Sequence, residues 1–338
     1  MKLKQIAFVL PMLGLTAAAM AGNPGNNMVM PSGINLIAPA SVGTWSFGVE
    51  ALYMQSSDNF QYTAIANPPL DNDFDNQTVG NTTNWGISAD IGYTFAGSSR
   101  DVNLSYTHLD FDNAAAVNIP DSVVIIGNGG GGGAPLANSA SDSSDQDLNS
   151  ANLTFGQLFH VGSRVDLHPF AGVQFTDFDN TQKPDYSAAI PGVFSLGIDA
   201  KLNNGFTGAG PRFGVDGAIH LGAGFSVVGT AAGALLVGEM SSNLTSQVTI
   251  NDTFTGTNET TVDDYTAIVP ELDAKLGLDY MYAFNSIVSM NAQVGYEIVN
   301  YFNMVNMDVW DITQTNSINN TSDFNYYGPY FRLQLNIA

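Results

Sequence analysis

Charged side chains stand at alternate positions in the most regular part of the sequence, between Pro270 and Tyr301. They are Glu271, Asp273, Lys275, Asp279 and Glu297. A two-residue period places side chains on one face of a β-strand, so these groups are expected to share a surface. Several carboxylates around one lysine either attract cations or form a network of buried ion pairs. Both kinds of chemistry require strands that hold the charges in register.

The residues between these charges are apolar, and they predict a β-hairpin with one apolar and one polar face. Its turn lies near Asn285 and Ser286. Each arm approaches or exceeds the roughly 10 residues of a tilted strand that crosses a membrane, whereas strands of ordinary globular proteins average only about 5 to 6 residues. The apolar face, which includes Leu276 and Val294, is therefore predicted to contact lipid rather than the core of an aqueous β-sandwich.

Eight further segments alternate in a similar way, so the sequence predicts about ten strands, within a range of roughly 8 to 14. The predicted strands are 45–53, 85–93, 102–106, 151–159, 165–175, 208–219, 225–240, 271–282, 288–298 and 327–337. In the third strand the alternation becomes unclear near His108 and Leu109, where we expect a β-bulge. The seventh is so uniformly apolar and small that its faces are not assigned.

Connections of two kinds alternate along the chain. Short turns lie near Gly97, Gly162, Gly222 and Asn285. Long connections, rich in acidic and amide residues, span about 55–83, 113–147, 178–204, 241–263 and 303–322. Bacterial outer-membrane barrels alternate short periplasmic turns with long outer loops and have an even number of strands. The predicted fold class is therefore all-β, a transmembrane antiparallel up-and-down β-barrel with both chain ends on the periplasmic side.

The first 21 residues have the features of a secretory signal peptide. Lys2 and Lys4 precede an apolar run, and an A-x-A sequence ends at Ala21. We therefore predict a signal peptide at 1–21, a flexible N-terminal segment at 22–43 and an outer-membrane barrel at 44–338, reached by Sec-type export with cleavage near Ala21.

The composition is strongly acidic. The 338 residues include 31 acidic and nine basic side chains and no cysteine. Loss of the two lysines in the signal peptide leaves seven basic residues and moves the formal charge from −22 to −24. Nucleic acid is excluded as an expected partner because its recognition requires a basic surface. The lack of cysteine excludes disulfides and thiol chemistry.

The assigned faces direct eleven charged side chains into the barrel. The acidic ones are Glu50, Asp90, Asp166, Asp216, Glu271, Asp273, Asp279 and Glu297, and the basic ones are Arg212, Lys275 and Arg332. An electronegative lumen predicts preference for cations if the barrel conducts. The alternative is a hydrogen-bonded plug around the three bases, since about eight strands enclose little beyond side chains and wide channels need about 16. The sequence leaves both alternatives open.

The tetrapeptide Asp-Phe-Asp-Asn occurs three times, at 73–76, 110–113 and 177–180. A purely structural interpretation places Phe74, Phe111 and Phe178 at the lipid headgroup level. A functional interpretation is weak binding of Ca²⁺ or Mg²⁺, which would bridge the protein to anionic lipopolysaccharide. Its candidate ligands are Asp73, Asp75, Asp110, Asp112, Asp177 and Asp179. An EF-hand is excluded because Asn76 and Thr82 stand where that loop requires Gly and Glu.

Enzymatic activity is not predicted. The segment 106–108 is similar to the start of the outer-membrane phospholipase motif, but Asp110 stands where that family has its serine nucleophile. A His108–Asp110 pair two residues apart on a strand is commonplace. The remaining histidines lack the spacing of metal ligands, and they are His160, His168 and His220. We therefore assign no catalytic residue and no cofactor beyond weakly bound divalent cations.

The order of several strand sequences resembles the Legionella-type major outer membrane proteins. The segments that carry the resemblance are WSFGVEALY (45–53), WGISADIGYTF (85–95), DVNLSYT (101–107), GAGPRFG (208–214), ELDAKLG (271–277) and GPYF (328–331). They are spread over most of the chain after the predicted signal peptide. The resemblance implies an abundant outer-membrane β-barrel with porin-like character.

Two functions follow as hypotheses. The first is a porin-like protein for passive diffusion of small, cationic solutes through a narrow electronegative lumen. The second is a non-conducting surface barrel that serves adhesion or envelope integrity. The expected partners are outer-membrane lipid, lipopolysaccharide and small solutes, while the sequence leaves open whether the barrel forms homo-oligomers.

Overall fold

The computed structural model describes residues 42–57, 61–65, 74–78, 82–118, 123–125, 136–137, 139–190, 194–251, 253–306 and 321–338. The predicted signal peptide and nearly all of the predicted N-terminal segment lie outside these ranges. Within the described residues, no helix is long and apolar enough to cross a membrane.

The described chain forms sixteen strands. They are β1 (Thr44–Ser57), β2 (Gln61–Ile65), β3 (Phe74–Thr78), β4 (Thr83–Thr94), β5 (Arg100–Asn118), β6 (Val123–Ile125), β7 (Leu136–Ala137), β8 (Ser139–Gln157), β9 (Phe159–Val161), β10 (Val165–Gln182), β11 (Asp185–Ile190), β12 (Phe194–Gly222), β13 (Phe225–Ile250), β14 (Thr253–Ala283), β15 (Val288–Asn306) and β16 (Thr321–Ile337).

Ten of these strands close into an antiparallel barrel. Their order is β1, β4, β5, β8, β10, β12, β13, β14, β15 and β16, and β16 pairs with β1. At the closure Glu50 lies opposite Arg332 on β16 and opposite Ser88 on β4. The predicted fold class, the ten strands and the closure of the first strand against the tenth are confirmed.

The outward face of the barrel is apolar around its middle. Leu276 is 65% exposed and Val294 is 56% exposed. Aromatic pairs flank this belt, and the ring centroids of Trp45 and Tyr93 lie 4.8 Å apart. Because exposed leucine and valine would be costly in water, this belt is the surface that meets lipid, as the hairpin sequence predicted.

Several strands extend well beyond the membrane. β14 has 31 residues, about 100 Å of extended chain, against a hydrocarbon core of about 30 Å. We call the paired residues 139–147, 179–190, 194–204, 241–251 and 253–264 the outer extension. Here the structure differs from the sequence-based expectation, since most of the predicted connections 178–204 and 241–263 are paired strand. The inner face of these strands is buried but mostly polar, as Ser144, Gln182 and Asn204 show, so no apolar period marks them, although their many threonines favour strand structure.

The expected β-bulge near His108 is wrong. β5 pairs with β8 without interruption from Arg100 to Asn118. The alternation became unclear because the interior itself changes character at this level, from polar below to apolar at Leu109 and Phe111. With apolar side chains inside and His108 and Asp110 outside, the usual contrast between the faces is inverted, while the backbone keeps its register.

Candidate functional site: the barrel interior

The barrel interior is built by side chains at alternate positions of the ten strands. The structure places all eleven charged residues that the sequence assigned to the lumen on this inner face, where most are buried. Lys275 and Arg212 are the more accessible of them, with side chains that are 21% and 11% exposed. The arrangement of these groups decides whether they line a route for solutes or fill the lumen as a hydrogen-bonded plug.

One ion-pair group surrounds Arg212 on β12. Its guanidinium donates to Glu271 at 3.0 Å and to Gln174 at 2.8 Å, and it also contacts Asp273. Glu271 and Asp273 are two residues apart on β14, so both carboxylates point inward together. A single arginine thus holds two carboxylates against the wall.

A second group joins β14 to the barrel closure. Lys275 donates to Glu50 at 2.8 Å and lies 3.2 Å from Glu297. Arg332 lies 2.7 Å from Asp90 and 3.6 Å from Glu50. Glu50 is therefore shared by both bases, and the group links β1, β4, β14, β15 and β16 across the interior.

The sequence analysis missed the role of the histidines at the end of the barrel nearest the short turns. His168 lies between Asp101 and Asp216, with nitrogen-to-oxygen distances of 2.7 and 3.0 Å. The carboxylate of Asp166 contacts His160 at 2.6 Å and His220 at 2.9 Å. The signal in the sequence was the position of Asp166 and His168 two residues apart on one strand, which places both inward, rather than any metal-ligand spacing.

Above the charged groups lies a layer of apolar side chains, which the sequence analysis did not foresee. We call it the apolar layer, and its central members are Leu52, Leu109, Phe111, Phe178, Phe206, Leu236, Met240 and Phe324, each at most 1% exposed. The Phe178 and Phe324 ring centroids lie 4.5 Å apart, and those of Phe111 and Phe324 lie 6.1 Å apart. The layer fills the interior on the side of the outer extension.

The apolar layer corrects the interpretation of the Asp-Phe-Asp-Asn repeats. Phe111 and Phe178 do not rest at the lipid headgroup level, because both point into the barrel and are 0% and 1% exposed. A strand alternates strictly, so the aspartates that flank each inward phenylalanine must point outward. The side chain of Phe74 lies outside the described part of the structure.

The outward aspartates of these repeats gather above the apolar belt. Asp110, Asp147 and Asp179 lie in one row across β5, β8 and β10. Carboxylate oxygens of Asp110, Asp112 and Asp145 lie within 4.8 Å of one another. A hydrogen bond with Asp145, together with partial burial, raises the pKa of Asp112. Repulsion from Asp145 and Asp110 adds to this shift, and weak divalent-cation binding by these groups stays a prediction.

The structure describes the remaining candidate ligands for divalent cations less completely. Asp177 accepts a hydrogen bond from Thr207 at 2.6 Å. Asp75 belongs to β3, but its side chain lies outside the described residues, as does all of Asp73.

A pH dependence is expected in the outer extension, where Asp185 on β11 pairs with Asp199 on β12. Burial and the neighbouring Asp199 raise the pKa of Asp185 to about 6, above its ordinary value of 3.8. The folded state therefore holds this proton more tightly, so the stabilisation is full below about pH 4 and is lost as the pH rises through 6.

Amide exchange in residues 185–199, corrected for intrinsic rates, should be slower at pH 5 than at pH 7.5. In Asp185→Asn that difference should shrink, whereas Asp263→Asn should retain it; equal protection at both pH values in the wild type would contradict the expectation.

A polar cavity of about 140 Å³ lies between the ion-pair groups and three tyrosines below the apolar layer. The position of Tyr330 is set by two glycines, because its ring lies directly over Gly277 and Gly295. A Cβ added to Gly277 would come within 2.6 Å of the Tyr330 hydroxyl, and one added to Gly295 within 2.7 Å of its ring. The two glycines thus permit the close approach that seats Tyr330 against the wall.

Comparisons with known proteins place the chain in a family. The family model described as Legionella pneumophila major outer membrane protein precursor matches residues 37–337. Among curated proteins, none matches at a significant level.

Several solved structures are similar in overall form. The outer membrane protease OmpT from Escherichia coli has a TM-score of 0.44 and 8% identity, covering 87% of this chain and 96% of that one. The toluene transporter TodX from Pseudomonas putida has a TM-score of 0.29 and 6% identity, covering 89% and 90%. A Pseudomonas aeruginosa FadL homologue has a TM-score of 0.27 and 8% identity, covering 88% and 90%. With scores this low, no function is transferred from these proteins.

The family match covers nearly the whole barrel, including the strands that carry the interior charges. The resemblance seen in the strand sequences is therefore confirmed: the chain belongs to the Legionella pneumophila major outer membrane protein family and is a transmembrane β-barrel of the outer membrane.

Proposed function

We propose that the protein is a narrow, porin-like channel for small solutes, closed by the apolar layer in the conformation described. One observation carries the proposal, namely the division of the interior into a charged, cavity-bearing part and an apolar part. An interior that served stability alone would gain more from apolar packing than from ion pairs, because burying charges costs solvation free energy. Retained charge around a cavity supports a lumen adapted to polar solutes.

The apolar layer provides the closed state in this proposal. Hydrophobic constrictions stop ions by excluding water. Ten strands enclose only slightly more than the eight whose interior is filled by side chains. A modest rearrangement of a few phenylalanines would then separate closed from open.

Preference for cations is the finer part of the proposal. The carboxylates that line the cavity are Glu50, Asp90, Asp216, Glu271, Asp273 and Glu297, against the permanent bases Arg212, Lys275 and Arg332. Even with His168, which also lines the cavity between Asp101 and Asp216, six carboxylates outnumber the basic groups and favour cations in the lumen.

Planar-bilayer recordings across a KCl gradient test this proposal. We expect small, infrequent openings whose reversal potential has the sign of a cation-selective channel, because the excess carboxylates raise the local K⁺ concentration. A reversal potential of the opposite sign would overturn the cation preference.

The second candidate function is a non-conducting surface barrel that supports adhesion or envelope integrity. The full burial of the apolar layer supports it, since Phe178 and Phe324 are each 1% exposed. Solute flux into proteoliposomes separates the two candidates. Correctly folded protein, verified by heat-modifiable gel mobility, that admits no small solute would favour the second.

Neither candidate includes a catalytic step. In both, the apolar belt contacts outer-membrane lipid, the outward aspartates face lipopolysaccharide, and export precedes cleavage near Ala21. An exported protein whose N-terminus, determined by mass spectrometry, retained Met1 would contradict that maturation.

A further inference from the structure

We infer that the interior cavity binds a compact organic cation with several N–H donors, of the guanidinium or short primary amine class. The inference rests on the proposed channel function, since it names the class of solute that the lumen would take. It is carried by the size of the cavity, its charge, its unpaired polar atoms and its aromatic side.

The size of the cavity sets an upper limit for the ligand. Its volume is about 140 Å³. A protein cavity of about 150 Å³ accommodates one benzene molecule. A ligand of roughly six non-hydrogen atoms therefore fits, whereas a sugar or a peptide does not.

The ion pairs around the cavity determine the sign of the ligand charge. Each of the three bases already contacts two carboxylates: Arg212 contacts Glu271 and Asp273, Lys275 contacts Glu50 and Glu297, and Arg332 contacts Glu50 and Asp90. An anionic ligand would find every base engaged and an excess of like charge. A cation would instead offset that excess.

Three buried polar groups at the cavity lack a complete set of hydrogen bonds. Among the described residues, the Tyr330 hydroxyl and Asp273 Oδ1 accept none. Gln293 lies opposite Asp279 across the strand pair, and its amide oxygen likewise accepts no hydrogen bond. Tyr330 and Gln293 are 2% and 1% exposed, so bulk water does not reach them freely. Buried polar groups are normally paired, and three oxygens here would accept N–H donors from a ligand.

Tyrosine rings favour an organic cation at this place. Lys275 Nζ lies 5.3 Å from the centroid of the Tyr330 ring, so a positive charge is already stable over that ring. Tyr301 and Tyr326 also line the cavity. A weakly hydrated, planar cation gains from aromatic faces and from several directed hydrogen bonds. K⁺ offers no N–H donors and must lose its hydration shell.

Calorimetric titration of the folded full chain in detergent micelles, at constant ionic strength, tests the inference. Guanidinium chloride at millimolar concentration should give a saturable heat, whereas urea, its neutral counterpart of nearly equal size, should give none. Tyr330→Phe and Asp273→Asn should each weaken guanidinium binding by about tenfold, as expected for hydrogen bonds to a charged group. Tyr327→Phe is the matched control, because Tyr327 lies on the opposite face of the same strand.

Equal heats with guanidinium and urea would overturn the inference, as would unchanged affinity in folded Tyr330→Phe. The conservative tyrosine variant keeps the test valid if Asp273→Asn fails to fold. The outcome is separable from that of the bilayer recordings. Guanidinium binding by a barrel that never conducts supports the site and overturns the channel, while conduction without binding does the reverse.

Discussion

Replacing Lys275 by methionine is expected to lower the free energy of unfolding of the barrel by about 3 kcal/mol. The ammonium group holds Glu50 at 2.8 Å and Glu297 at 3.2 Å, and both carboxylates are at most 7% exposed. Without the lysine, two buried carboxylates remain close together with only Arg332 to offset them. The penalty of an uncompensated buried charge exceeds the loss of the pair itself. Urea unfolding in detergent micelles, followed by tryptophan fluorescence and gel mobility, measures the change.

Two companion variants show whether the loss arises from the ion pair. Lys201→Met removes an exposed lysine of the outer extension and should change stability by less than about 0.5 kcal/mol. Adding Glu297→Gln to Lys275→Met should restore part of the lost stability, since it removes one of the unpaired charges. If Lys275→Met unfolded at the same urea concentration as the wild type, the ion pairs of Lys275 would not stabilise the barrel. The lysine would then be available to interact with solutes in the lumen.

The faces of the barrel strands could be predicted because one side contacts lipid and the other contacts charge. Leu276 and Lys275 are neighbours in sequence and point in opposite directions, and no property beyond a two-residue period was needed to separate them. The same contrast assigned all the interior charges of β14 and β15. Where it was present, the sequence predicted both the strand and its orientation.

The contrast disappears where both faces have similar polarity. In β13, Leu236 points inward and Leu235 points outward, so the sequence alone gives no reason to choose. At Leu109 and Phe111 the interior becomes apolar while the outward neighbours become acidic, which inverts the usual pattern. The apolar layer was missed for this reason.

Partner choice among the charges could not be predicted either. Lys275 and Glu50 are 225 residues apart and meet across the lumen rather than along a strand pair. Their contact depends on the stagger of all ten strands, which no local pattern fixes. The sequence therefore predicted which groups face inward and left open how they pair.

Phe324→Ser is expected to increase the single-channel conductance or open probability by about tenfold or more. Phe324 lies at the centre of the apolar layer, within 6.2 Å of the rings of Phe111, Phe178, Tyr301 and Tyr326. Its loss removes a central apolar obstacle and introduces a hydroxyl that water can solvate. A reduction of the ion barrier by only about 1.4 kcal/mol already gives a tenfold change.

The matched control lies on the same strand. Phe331 faces lipid and is 49% exposed, so Phe331→Ser removes an equal side chain without touching the interior. Phe324→Leu keeps the layer apolar and should remain nearly closed. Because Phe→Ala changes in a core cost about 3–5 kcal/mol, each variant must first show heat-modifiable mobility of a folded barrel. A folded Phe324→Ser barrel that conducts no better than Phe331→Ser would mean that the layer closes no pathway, and the interior would then serve the stability of a surface barrel.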